Sequence, residues 1–143
     1  MKYYNFLFLV LLISFINYTS NAQGLSLTGS NSSTPINDSQ VVESNVFVTN
    51  NGDIGSDYEI DNVKVDLSHE FNEDLKISLA SPNGTVLVLS SNNGGNSQDY
   101  SNTIFSDFGT NINFASGPFS GTYQPEGGMF STAFDGENIY GSW

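Results

Sequence analysis

The sequence has no cysteine and no arginine, and its 143 residues include only three lysines and one histidine. The missing cysteines exclude disulfides, thiolate zinc sites and cysteine nucleophiles together. Three lysines cannot line a groove that neutralises phosphates, so nucleic acid is excluded as a partner, and an anionic membrane surface is disfavoured. A single histidine leaves a zinc site short of ligands. No P-loop, dinucleotide-binding fingerprint, GxSxG elbow, internal repeat or heptad is found. Charged residues make up 13% of the chain, yet fifteen are acidic and the net charge is −12. Hydrophobic residues at 38% and aromatics at 13% are too many for an acidic disordered tail. Length and composition therefore give one domain with a packed core.

Residues 1–22 read as a secretory signal peptide. Lys2 supplies a positive n-region, and Phe6 to Ile16 (FLFLVLLISFI) is apolar except for Ser14. Ser20-Asn21-Ala22 places small residues at a cleavage site. The apolar run is shorter than the ~20 residues that span a bilayer. Cleavage removes Lys2 and no acid, so two lysines face fifteen acids and the mature charge is −13. The expectation is a secreted or cell-surface protein with no membrane contact after cleavage. Export without cysteine fits a bacterial source.

The remainder is punctuated by Gly, Asn, Ser and Thr, with β-branched and aromatic residues between, and no helical period stands out. Short strands at this spacing predict an all-β sandwich or barrel. Residues 23–44 are a polar, flexible lead-in, and a first edge strand falls near Val41–Val48. Val63, Val65, Leu67, His69 and Phe71 alternate with Lys64, Asp66, Ser68 and Glu70, as expected of a strand buried on one face. Leu75, Ile77 and Leu79 repeat the pattern, and Asn72-Glu73 between the two runs suits a tight hairpin. Pro82-Asn83-Gly84-Thr85 is a second turn. Val86 to Leu89 reads as a central strand covered on both sides. Ser90 to Asn102 reads as a polar loop, Thr103 to Phe105 as a strand, and Phe114 to Trp143 as aromatics alternating with glycines.

The one histidine, His69, falls on the inner face of a predicted strand. It reads as a hydrogen-bonded structural residue, against the alternative of a base in a Ser-His-Asp triad. Asp57, Glu59 and Asp61 alternate ahead of Val63, and the loop from Asn92 to Asp107 holds Asp99, Asn102 and Asp107. Oxygen-rich loops of this kind suit Ca²⁺, so Asp99, Asp107, Asp57 and Asp61 are the candidate ligands, with a solvated acidic rim as the alternative.

One run of motifs carries further information. It begins with Ile60-Asp61-Asn62-Val63-Lys64-Val65-Asp66-Leu67-Ser68-His69 and continues with Asp74-Leu75-Lys76-Ile77-Ser78-Leu79-Ala80-Ser81-Pro82-Asn83-Gly84-Thr85. Asn102 to Asp107 (NTIFSD), Pro118 to Glu126 (PFSGTYQPE), Phe134-Asp135-Gly136 and Gly141-Ser142-Trp143 follow in order. This run, over residues 45–143, resembles the P domain of proprotein convertases. The resemblance implies a jelly-roll-like (galactose-binding-like) antiparallel β-sandwich, in which His69, Asp74, Pro82, Gly84 and Trp143 are structural. It also implies an association with subtilisin-like serine endopeptidases, in which the P domain stabilises a catalytic domain and shifts its calcium and pH dependence.

The family pattern continues past Gly-x-Trp into a final strand, so the expectation is a C-terminally incomplete sandwich with an open edge. No catalytic Asp, His and Ser set carries over. The expected role is a non-catalytic module that stabilises or presents a partner, either a protease catalytic domain or another extracellular domain, in the same or another chain. The alternative is a stand-alone adhesion or carbohydrate-binding sandwich, in which Phe119, Tyr123 and Tyr140 stack on sugars.

Overall fold

The computed structural model describes residues 41–143, so the signal peptide and most of the lead-in lie outside the described residues. Seven strands follow in order: β1 (Phe47–Val48), β2 (Val63–Leu67), β3 (Lys76–Ala80), β4 (Val86–Ser91), β5 (Tyr100–Asn111), β6 (Thr122–Gln124) and β7 (Gly141–Ser142). An α-turn, Phe130–Ala133, and two 3-10 turns, Asn72–Asp74 and Ile112–Phe114, are the other elements among the described residues.

The alternation of β2 is realised, with Val63, Val65 and Leu67 turned inward and Lys64 and Asp66 exposed. The strand pairs antiparallel with β5, Val63 opposite Phe105 and Leu67 opposite Tyr100. β5 is twelve residues long and has two partners, β2 along its first half and the short β6 at Ile104–Phe105 and again at Thr110–Asn111. β3 and β4 form an antiparallel hairpin, and β1 closes on β7. The arrangement is an all-β sandwich. The β4 residue Ser90 and the β5 residue Tyr100 meet inside it, hydroxyl to hydroxyl at 2.9 Å.

The core is a single cluster that includes Leu75, Leu87, Leu89, Tyr100, Phe105, Phe119, Phe130 and Phe134. Its rings pack edge-on or tilted, Phe119 at 4.8 Å from Tyr100 and Phe134 at 5.2 Å from Trp143, as ring quadrupoles favour.

The hairpin turn over Ser81–Thr85 forms as the sequence indicates. Gly84 N–H donates to Ser81 O at 2.9 Å, Ser81 N–H donates to Thr85 O at 2.9 Å, and Gly84 sits at φ 91°. Glycine reaches that region without a Cβ clash.

Several expectations are corrected. β2 and β3 are not joined by a tight hairpin: β2 pairs with β5, β3 pairs with β4, and a 3-10 turn links them. Asp74 ends that turn. β2 stops at Leu67, so His69 lies past its end and Phe71 is exposed. β4 is not covered along its whole length, because Val86 is 61% exposed while Leu87 and Leu89 are buried. The polar loop is shorter than expected, since Tyr100 already belongs to β5 and is fully buried. The sandwich is not purely antiparallel, because β5 and β6 run parallel.

Between Phe105 and Thr110 the β5–β6 register shifts. A Cβ on Gly109 would overlap the Tyr123 carbonyl carbon and come within 2.6 Å of Gln124 N. The two backbones approach so closely there that only glycine fits.

Candidate functional site

The densest polar constellation lies where β2 ends and β5 begins, around Asp99. Asp99 adopts φ 64°, which turns its carboxylate back toward β2. Its Oδ1 accepts from Ser68 Oγ at 2.8 Å and from His69 N at 3.0 Å. Its backbone N–H donates to His69 O at 3.2 Å. Its carbonyl accepts from Asn72 Nδ2 at 3.1 Å. Asn72 is itself fully buried, and its backbone N–H donates to Ser97 O at 2.8 Å. One aspartate thus ties the β2 exit, the 3-10 turn and the loop before β5 into a single knot.

Serine, histidine and aspartate meet here, but not in a hydrolytic order. A triad needs the serine hydroxyl on the imidazole and the aspartate on the other ring nitrogen. In this knot Ser68 donates to the carboxylate directly, and Asp99 holds the backbone of His69 rather than its ring. The His69 Nδ1 faces the Phe71 backbone, 2.9 Å from its O and 3.2 Å from its N, and bonds one or the other according to its tautomer. This contact joins the ring to the loop after β2.

The four candidate calcium ligands are placed apart and engaged locally. Both oxygens of Asp107 are taken: Oδ1 accepts from Phe130 N at 2.6 Å and Oδ2 from Ser131 N at 3.0 Å. Asp107 therefore caps the α-turn from across the sandwich, and charge-assisted bonds to free N–H groups are strong. Asp57 Oδ2 accepts from Asp53 N at 3.0 Å and from Ser56 Oγ at 3.4 Å, closing its own turn. Asp61 Oδ2 accepts from the neighbouring Asn62 at 2.7 Å. Among the described residues no three His, Asp or Glu side chains gather closely enough to hold a metal ion. In the fold both Asp107 oxygens hold the α-turn, Asp57 closes its own turn and Asp61 bonds its neighbour.

Of the three aromatics considered as sugar platforms, Phe119 is fully buried and packs against both Tyr100 and Tyr123. Tyr140 is half-exposed and meets Phe47 edge-on at 5.6 Å.

Sequence reasoning missed several polar residues that hold the structure. Glu137 accepts from Thr85 Oγ1 and so ties the β3–β4 turn to the segment before β7. Asn93 bonds both Ser90 Oγ at 3.0 Å and Glu126 at 2.9 Å, next to the buried Tyr100 hydroxyl. Burial raises the Tyr100 phenol above its ordinary value, the Ser90 bond acts in the opposite sense, and the negative charge of Glu126 raises it further. No local motif marks the Thr85–Glu137 and Asn93–Glu126 contacts, because their partners come from distant positions in the chain.

No curated protein and no solved structure matches the chain. A family model, the proprotein convertase P-domain, matches residues 59–143, more than half of the sequence. The matched span takes in β2 to β7, the Asp99 knot, the Asp107 cap and every motif of the run that starts at Ile60. The chain therefore belongs to the proprotein convertase P-domain family.

Proposed function

We propose that this protein is an exported, non-catalytic module that stabilises or presents the catalytic domain of a serine endopeptidase. Family membership over residues 59–143 carries the reading. The wiring of Ser68, His69 and Asp99 supports a structural use of the one histidine: the imidazole is bound to the backbone of Phe71, and the carboxylate to the backbone of His69. Burial of Phe119 in the core weighs against the carbohydrate-binding alternative. Export rests on the signal-like residues 1–22; cleavage there would leave Gln23 as the first residue, which mass spectrometry of the mature protein checks.

The test is a mixing experiment. A purified subtilisin-like catalytic domain is incubated at an inactivating temperature with and without this protein. The reading expects a several-fold longer activity half-life with it, and no hydrolysis of casein by this protein alone. An unchanged half-life at saturating protein refutes the reading.

A further inference from the structure

The sheet edges of this sandwich are unequally guarded. Residues 41–143 hold fourteen carboxylates and only two lysines. Each lysine lies on a strand with one named partner: Lys64 on β2, at the edge of its sheet, and Lys76 on β3. β6 is three residues long and runs into Pro125. Charge, shortness and proline are the usual means of keeping an edge from pairing with another chain. On β7, Pro82 packs against Gly141.

β1 is itself short, two residues, but it has neither of the other two guards. It lies in the stretch Ser44-Asn45-Val46-Phe47-Val48-Thr49, which has no charge and no proline. Val46 and Trp143 exchange two backbone hydrogen bonds of 2.9 Å, and Phe47 stands opposite Ser142. In an antiparallel ladder bonded and non-bonded pairs alternate, so the N–H and C=O of Phe47 point away from β7. No hydrogen bond among the described residues reaches them. The Phe47 ring is 58% exposed and pairs edge-on with the half-exposed Tyr140, forming an apolar shelf beside this open edge.

We propose that β1 is a strand-addition site, and that its occupant is an extended basic segment of another protein. Main-chain bonds to Phe47 would supply affinity, and the Phe47–Tyr140 shelf would seat an apolar side chain. Charge selects the occupant. A second copy of this chain brings the same excess of acid and is repelled, whereas a segment carrying lysine or arginine is attracted. The inference rests on the partner-module reading and names the surface through which it would act.

The probes are three blocked eight-residue peptides titrated into the mature protein: alternating valine–lysine, alternating valine–glutamate and alternating proline–lysine. Calorimetry and Trp143 fluorescence read binding, since Trp143 is the ladder partner of Val46. The valine–lysine peptide should bind at least tenfold more tightly than either other peptide. Phe47→Lys should abolish that preference while leaving the melting temperature within about 2 °C.

Equal binding of the proline–lysine peptide would reduce the effect to charge alone and overturn the proposal. So would absence of binding, binding unchanged in Phe47→Lys, or concentration-dependent dimerisation of the free protein. The catalytic-domain assay separates the two readings. If Phe47→Lys still protects a catalytic domain, the edge fails and the module reading survives. If valine–lysine binding is lost in Phe47→Lys but no catalytic domain is ever protected, the module reading fails and the edge survives.

Discussion

Replacing Asp107 by alanine tests whether that carboxylate is a helix cap or a cation ligand. The substitution strips the acceptors from the Phe130 and Ser131 N–H groups, which are bonded at 2.6 and 3.0 Å. A hydrogen bond to a charged group contributes about 1.5–3 kcal/mol, and leaving a buried donor unmade costs a similar amount. Asp107 is half-buried, so solvent screens part of this. Two such bonds with that discount give a loss of about 2–3 kcal/mol. Phe130 and Phe134 amplify the effect, because both are core residues and their turn starts at the capped groups. For a domain near 100 residues the loss corresponds to a fall in Tm of roughly 10 °C.

The assay is urea unfolding followed by Trp143 fluorescence, since that ring packs on Phe134. Asp107→Asn keeps one acceptor and should fall between wild type and alanine. Asp66→Ala, on the exposed face of β2, should stay within about 0.5 kcal/mol. A loss for Asp107→Ala no larger than that of Asp66→Ala would refute the capping argument. A loss that disappears when both proteins are measured in a chelator would show that the carboxylate works through a cation.

Gly109→Ala should cost about 3 kcal/mol or more, because the new methyl enters the space of the Tyr123–Gln124 backbone; urea midpoints check it, and a cost below about 1 kcal/mol would contradict the close approach. The Tyr100 phenol is raised in the folded protein, so its contribution is fully present below the unfolded value near 10 and is lost as pH climbs through the folded value. Tyr100→Phe should therefore flatten the alkaline fall in stability above about pH 10, measured by denaturant titration, and an unchanged slope would assign that fall to other groups. CaCl₂ and NaCl at matched ionic strength should both raise Tm, because screening relieves the repulsion of an acidic chain; a calcium-specific excess would establish an ion site, and equal shifts would assign the whole effect to screening.

The period-two runs of β2 and β3 and the Ser81–Thr85 turn were legible in the sequence because each signal is local: alternation, proline, then glycine at positive φ. Pairing was not local. β2 lies just ahead of β3 in sequence but takes β5 as its partner, and the 3-10 turn at Asn72–Asp74 is set by the buried Asn72 bonding to Ser97 and Asp99. The strand pattern failed at Phe71 for the same reason, since the chain leaves the sheet after Leu67 to enter that turn. Asp99 and Asp107 read as cation ligands because their sequence context is oxygen-rich. In the fold they accept from backbone N–H groups, and Asp99 also from the Ser68 hydroxyl; every residue but proline carries such an N–H, and no sequence pattern displays which one is met. The family motifs carried further than periodicity, because they preserve the outcome of long-range packing without revealing its geometry.

The pairing of Val46 with Trp143 joins residues 97 positions apart. Closing a loop that long carries an entropic cost that local turns do not, so this ladder depends on the core between its strands being assembled first. Synthesis proceeds from the N-terminus, so β1 waits for its partner during the roughly 5–20 s that a ribosome needs to add 97 residues. Throughout that interval β1 lacks its β7 partner. The order of birth of its two strands makes the opening segment of the domain the last to become native, and the one most dependent on its neighbours' restraint in a crowded cell.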